Sequence, residues 1–88
     1  MAVFAADRSL PGITMEQLAG AQKAAIDTCG QFTANGQPVR YIRSMYVPGD
    51  DHCLCLFEAN DAEVVKAVND TAGIPYTRVV EAMDLTPG

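Results

Sequence analysis

The 88-residue chain has no tryptophan, a single histidine (His52), and only six Lys and Arg against eleven Asp and Glu, for a formal net charge of −5. So little positive charge provides no electrostatic footprint for phosphate, which makes nucleic acid and anionic membrane surfaces poor partners. No apolar run approaches the roughly 18 residues of a membrane span. Met1 to Ala6 is apolar, but Asp7 and Arg8 follow at once, and the basic start and longer apolar centre of a secretory leader are both missing. A cytoplasmic location is the expectation. The three cysteines, Cys29, Cys53 and Cys55, are an odd set, which argues against a disulfide framework. On one strand Cys53 and Cys55 would stand about 6.6 Å apart by strand rise, at the upper limit for a disulfide and badly aimed. Free thiols are expected. A Gly-rich phosphate loop, a Ser-His-Asp order and paired zinc-knuckle spacing are also missing.

What the chain does have is a globular balance, 49% apolar and 19% charged, which rules out a disordered or low-complexity segment. A chain this long makes one domain, residues 1–88, with 84–88 as a tail. At this size core burial barely offsets chain entropy, so a partner subunit, a metal or a disulfide is called for.

Ala2 to Ala6 reads as a short buried strand, ended by the turn residues of Asp7-Arg8-Ser9-Leu10-Pro11-Gly12. Thr14 with Gln17 is a capping-box pattern, and Leu18, Ala21, Ala25, Cys29 and Phe32 recur at helical steps until Asn35-Gly36. Val39 to Val47 is β-branched and aromatic, Pro48-Gly49-Asp50-Asp51 turns the chain, and His52 to Glu58 returns as a strand. Asn60 with Glu63 repeats the capping pattern, Val64, Val65, Val68 and Ala72 form a stripe, and Gly73-Ile74-Pro75 ends the helix. Tyr76 to Met83 makes a last strand. The order is βαββαβ, which crossover handedness folds into a four-stranded antiparallel sheet with both helices on one face, an α+β ferredoxin-like arrangement.

An even-numbered turn at 48–51 pairs Val47 with His52, Met45 with Leu54, Arg43 with Leu56 and Tyr41 with Glu58. One face then carries Ile42, Ser44, Tyr46, Cys53, Cys55 and Phe57 and is placed under the helices with Cys29. The other carries Tyr41, Arg43, Met45, His52, Leu54, Leu56 and Glu58, an apolar patch with a few charges. Left bare, it is a liability; covered by a second copy it supplies the missing stability, so a homodimer through this open face is expected. An odd turn would exchange the two faces.

The stretch from Val39 to Pro48, followed by Cys53-Leu54-Cys55-Leu56-Phe57-Glu58-Ala59, resembles a small bacterial family whose structurally studied members are described as nickel-binding proteins. Asp7 to Gly12 and Ala72 to Pro75 are also similar to that family, so the resemblance spans nearly the whole chain. It implies a ferredoxin-like dimer and points to nickel or another divalent metal, with no catalysis assumed and no organic cofactor expected. It carries no ligand positions over to this chain. The family commonly has Glu where this sequence has Asp7.

Among the residues themselves, His52 beside Asp50 and Asp51 offers the usual nitrogen ligand for Ni²⁺ or Zn²⁺ next to two carboxylates. The alternative is an exposed hairpin histidine. Two copies of His52 brought together in a dimer would favour the metal. Cys53 and Cys55 share a face and with Cys29 form either a three-sulfur cluster or ordinary core thiols. Copper chaperones of this fold carry Cys-x-x-Cys after the first strand, where this chain has no sulfur. Glu58, Arg43 and Tyr41 on the open face offer an acid or base, an anion holder and a hydroxyl. They suit a small-molecule isomerase, cyclase, cofactor-free oxygenase or ligand-binding cleft, with an interface ion pair as the plainer reading. Asp7 borders the same region, its facing left open. The third strand lacks the aromatic and basic pattern of an RNA-binding sheet.

Overall fold

The structure, a computed structural model, describes residues 1–87. Its elements are β1 (Ala2–Ser9), α1 (Met15–Ala34), β2 (Val39–Val47), β3 (His52–Ala59), α2 (Ala62–Ala72) and β4 (Arg78–Ala82). The four strands form one antiparallel sheet in the order β2-β3-β1-β4, as the βαββαβ pattern requires. No helix among the described residues is long and apolar enough to cross a membrane.

The helices start and stop where local chemistry dictates. Thr14 accepts from the Gln17 amide while the Gln17 side chain accepts from the Thr14 amide, a reciprocal capping box that satisfies two donors left free at the start of α1. Asp61, not Asn60, caps α2 by accepting from the Val64 amide at 3.0 Å. The cap one residue later has the same chemistry, since Asn and Asp are nearly equivalent there. At the other end Gly73 takes the left-handed conformation, φ 73°, and the Ile74 amide reaches back to the Asn69 carbonyl at 3.0 Å.

β3 lies between β2 and β1 and alternates cleanly. Cys53, Phe57 and Ala59 are buried under the helices, while His52, Leu54, Leu56 and Glu58 lie only half-buried on the other face. Phe57 joins Phe4, Ala6, Ala25, Cys29, Val39, Val65 and Val68 in a single core. Sealing Phe57, Val65 and Val68 from water contributes about 1.5–3 kcal/mol each.

Two strand boundaries differ from the sequence reading. β4 is shorter, and β1 continues through Asp7, Arg8 and Ser9, which pair with Leu54, Cys53 and His52 of β3. These charged residues do not end the strand because alternation sends them to opposite faces. Asp7 stands beside Leu54 on the open face, and Arg8 beside Cys53 goes under the helices, 2% exposed. There the Arg8 guanidinium donates from Nη2 to Asn69 Oδ1 (2.9 Å) and from Nη1 to the Pro75 carbonyl (3.1 Å). Asn69, fully buried, donates in turn to the Val65 carbonyl at 2.8 Å. This clamp joins β1 to α2 and to the loop behind it.

The second correction concerns register. From Arg43 to Val47, β2 pairs with β3 as an even turn requires, but a β-bulge between Tyr41 and Arg43 shifts the rest by one residue. Tyr41 therefore stands opposite Phe57, not Glu58, and Arg40 takes the place across from Glu58. Tyr41 moves to the helix side, its ring 5.6 Å from that of Phe57 in an edge-to-face contact.

Asn69→Ala removes the acceptor of a buried guanidinium and a donor to the α2 backbone. Bonds to charged groups are worth about 1.5–3 kcal/mol, so the variant is expected to lose stability within that range in urea denaturation. A loss under about 0.5 kcal/mol would mean the clamp is replaced by other partners.

Candidate functional site

Three ion-paired groups dress the open face. At the end nearest the 48–51 turn, His52 begins β3 and Asp7 lies on β1; the register places His52 opposite Ser9 and Asp7 opposite Leu54, so the two side chains share a face two residues apart along the sheet. His52 Nε2 is hydrogen-bonded to Asp7 Oδ1, and Asp7 Oδ2 accepts from Arg78 Nε of β4 at 3.2 Å. The Asp7 carboxyl is held below its ordinary range, first by the His52 hydrogen bond and then by that of Arg78, against an opposing push from burial. It is therefore ionised at neutral pH.

An ionised carboxylate only accepts, so the proton on that bond belongs to His52 Nε2. When the ring is neutral this leaves the lone pair on Nδ1. A carboxylate that fixes one ring nitrogen and frees the other is the usual support of a metal-ligating histidine.

The turn carboxylates expected beside His52 do not join it. Asp51 adopts a positive φ of 52° and accepts from the Tyr46 hydroxyl at 3.3 Å, and Asp50 is exposed in the turn. Among the described residues no three His, Cys, Asp or Glu side chains gather as a metal set. One chain thus offers a supported histidine but too few donors to enclose a metal by itself.

Nor does the Glu58, Arg43 and Tyr41 constellation assemble. Arg43 pairs with Asp84, just past the end of β4; Glu58 accepts from Arg40 Nε at 3.3 Å; and Tyr41, carried to the other face by the bulge, bonds to Gln22 of α1 at 2.9 Å and to Ser44. The two arginines and Glu58 form exposed or half-exposed ion pairs, each worth little by itself.

The thiols form no three-sulfur cluster. Cys53 and Cys55 Sγ atoms lie 3.7 Å apart in a weak thiol hydrogen bond with no disulfide, Cys55 accepts from Ser44 Oγ at 2.9 Å, and Cys29 is a separate core residue. Burial pushes Cys29 up to about 11, and burial followed by the neighbouring Cys55 pushes Cys53 up to about 12. Both are protonated, unreactive core groups at neutral pH.

Asp7 and Arg78 were not singled out as partners of His52 by the sequence. The sequence signal available was the chain's one histidine, together with a carboxylate beside a strand; their meeting depends on the β1–β3 register across 45 positions of chain.

Comparison with known proteins agrees with this architecture. The family model described as "Nickel responsive protein SCO4226-like" matches residues 4–82. The chain belongs to that family. The crystal structure of SCO4226 from Streptomyces coelicolor A3(2) superposes with a TM-score of 0.81 at 24% sequence identity, covering 97% of this chain and 100% of that one. At that identity the likeness establishes the shared fold. A comparison with curated proteins gave no match.

Two measurements test this electrostatic picture. Because the folded-state pKa of Asp7 lies below its ordinary value of 3.8, its stabilisation is present above that value and is lost as pH falls through the folded pKa. Asp7→Asn is expected to flatten the acid limb of a stability-versus-pH curve, and an unchanged acid limb would contradict the pairing. Iodoacetamide at pH 8 is expected to leave Cys29 and Cys53 unmodified in the folded protein and to label them in denaturant, read by peptide mass spectrometry.

Proposed function

We propose that the protein binds a divalent metal, nickel, through Nδ1 of His52, and does so as a homodimer in which the open sheet faces meet. The observation that carries the reading is the Asp7 carboxylate on His52 Nε2, which leaves Nδ1 as the ring nitrogen open to a ligand. Imidazole is a suitable ligand for Ni²⁺. The family's description as nickel-responsive supports the choice of metal.

The dimer follows from two shortages. A single chain gathers too few donors, and a second copy would bring another His52. The same face leaves Met45 67% exposed, with Val47 and Val80 also open to solvent. Apolar surface of this kind is covered in most stable assemblies. The acid-base reading of Glu58, Arg43 and Tyr41 gains nothing from the structure, since each is engaged with a different partner.

Equilibrium dialysis of untagged protein against Ni²⁺ tests the site. His52→Ala is expected to abolish saturable binding, and Asp7→Asn to weaken it by about 10- to 100-fold, the usual effect of losing such a supporting carboxylate. Unchanged affinity and stoichiometry in His52→Ala would remove this histidine from the site. Sedimentation velocity is expected to show two chains, and Met45→Glu to give monomers with weakened nickel binding; a monomeric wild-type protein would end the dimer reading.

A further inference from the structure

On the opposite side of the sheet from His52, α1 and the helix-facing residues of β1, β2 and β3 enclose a partly open cavity of about 200 Å³. Its apolar lining includes Leu18 and Ala21 of α1 and Ile74. Its polar wall is a hydrogen-bonded chain: Gln22 donates to the Tyr41 hydroxyl, Tyr41 and Ser44 share a hydrogen bond, and Ser44 donates to Cys55. The bulge that displaces Tyr41 completes this wall. None of these residues belongs to the nickel reading.

Arg8 also lines the cavity and is its one charged residue. Its environment is unusual for an arginine, a residue that stays charged in proteins. Both terminal nitrogens bond only to neutral acceptors, Asn69 Oδ1 and the Pro75 carbonyl, and Nε is buried with no partner. Among the described residues no carboxylate pairs with it. Asp7, its chain neighbour, faces the other side of the sheet and is committed to His52 and Arg78. An interior cation without a counter-charge is costly, and low polarity around it strengthens its attraction for any anion that enters.

We infer that this cavity binds a small carboxylic acid with a compact apolar body, its carboxylate at the Arg8 end and its hydrocarbon part against Leu18, Ala21 and Ile74. The size fits, since a dry cavity of about 150 Å³ admits benzene. The composition fits as well, because small-molecule sites are mostly apolar with a few convergent polar groups. The carboxylate supplies the charge that Arg8 lacks, and the hydroxyl chain orients toward the new acceptor.

Benzoate is the probe, titrated into ¹⁵N-labelled protein and followed by amide chemical shifts, with benzyl alcohol as an uncharged match in size. Benzoate is expected to give saturable shifts centred on Arg8, Ala21, Tyr41, Ser44 and Cys55. Benzyl alcohol is expected to bind about tenfold or more weakly, the value of a charge-assisted hydrogen bond. Ala21→Phe, which fills the cavity from α1, is expected to abolish the shifts, and Ala21→Leu serves if the larger variant's spectrum is unfolded. The inference is overturned by the absence of saturable shifts with benzoate, by equal affinity for the alcohol, or by shifts that persist in a folded Ala21 variant. Nickel binding on the other face is read separately, so loss of one result leaves the other standing.

Discussion

The interior guanidinium of Arg8 is the constraint on which the other features of this small domain turn. Its side chain leaves β1 on the helix side and joins the strand to Asn69 of α2 and to the carbonyl of Pro75. These contacts tie α2 and its following loop to the sheet, beside the core packing of Val65 and Val68. A buried charge held only by neutral acceptors is a poor way to gain stability, because an apolar side chain of similar volume often does as well or better. Its retention makes sense where position or charge matters. Here it fixes a helix to a strand and leaves a positive end in the cavity beneath α1.

Because β1 alternates, placing Arg8 inside compels Asp7 outside. The same backbone step that buries the cation delivers the carboxylate to His52 and Arg78. The two faces of the sheet are thus chemically coupled through neighbouring residues of one strand. Shifting β1 by one residue would bury the carboxylate among core residues and expose the guanidinium, so the register is strongly specified at this point. The hydrogen bond from the Leu10 amide to the Asp51 carbonyl, 2.7 Å, extends the pairing to the turn that precedes His52 and holds the ends of β1 and β3 together.

Much of the fold was legible in the sequence because its signals are local. The Thr14 and Gln17 capping box, the Val65 and Val68 stripe and Gly73 each express an interaction within a few residues, and each appears where the pattern put it. The even turn at 48–51 correctly predicted the pairing from Arg43 to Val47 and the outward side of His52, Leu54 and Leu56. The bulge was not legible, since nothing in Tyr41-Ile42-Arg43 marks an extra residue. That single residue was enough to move Tyr41 to the other face and dissolve the expected trio with Arg43 and Glu58. The strand reading of β1 was right from Ala2 to Ala6 but stopped short of Ser9 for a related reason. Asp7 and Arg8 are turn-compatible residues by composition, and only the partner strand decides that they remain extended. For the candidate site, His52 could be identified alone, but its carboxylate partner lay far away in sequence and required the register to find.

The two faces answer the shortage of core in different ways. On the helix side, Phe57, Val65 and Val68 give a well-sealed centre, yet beside it the space under α1 stays unfilled where residues such as Ala21 and Ser44 are small. Filling it with larger apolar side chains would be the direct route to stability. It would also seal Arg8 away from any counter-ion. On the open side, Met45 and Val47 stay exposed although burying them would serve stability equally well. A domain of this length that leaves apolar space unfilled on one face and apolar surface bare on the other is suited to gain its remaining stability from what it binds. Any species that binds only the folded state raises stability in proportion to the logarithm of its occupancy ratio. Under that linkage an occupant of either face stabilises the shared sheet, and Asp7 and Arg8 are the adjacent residues through which both would act.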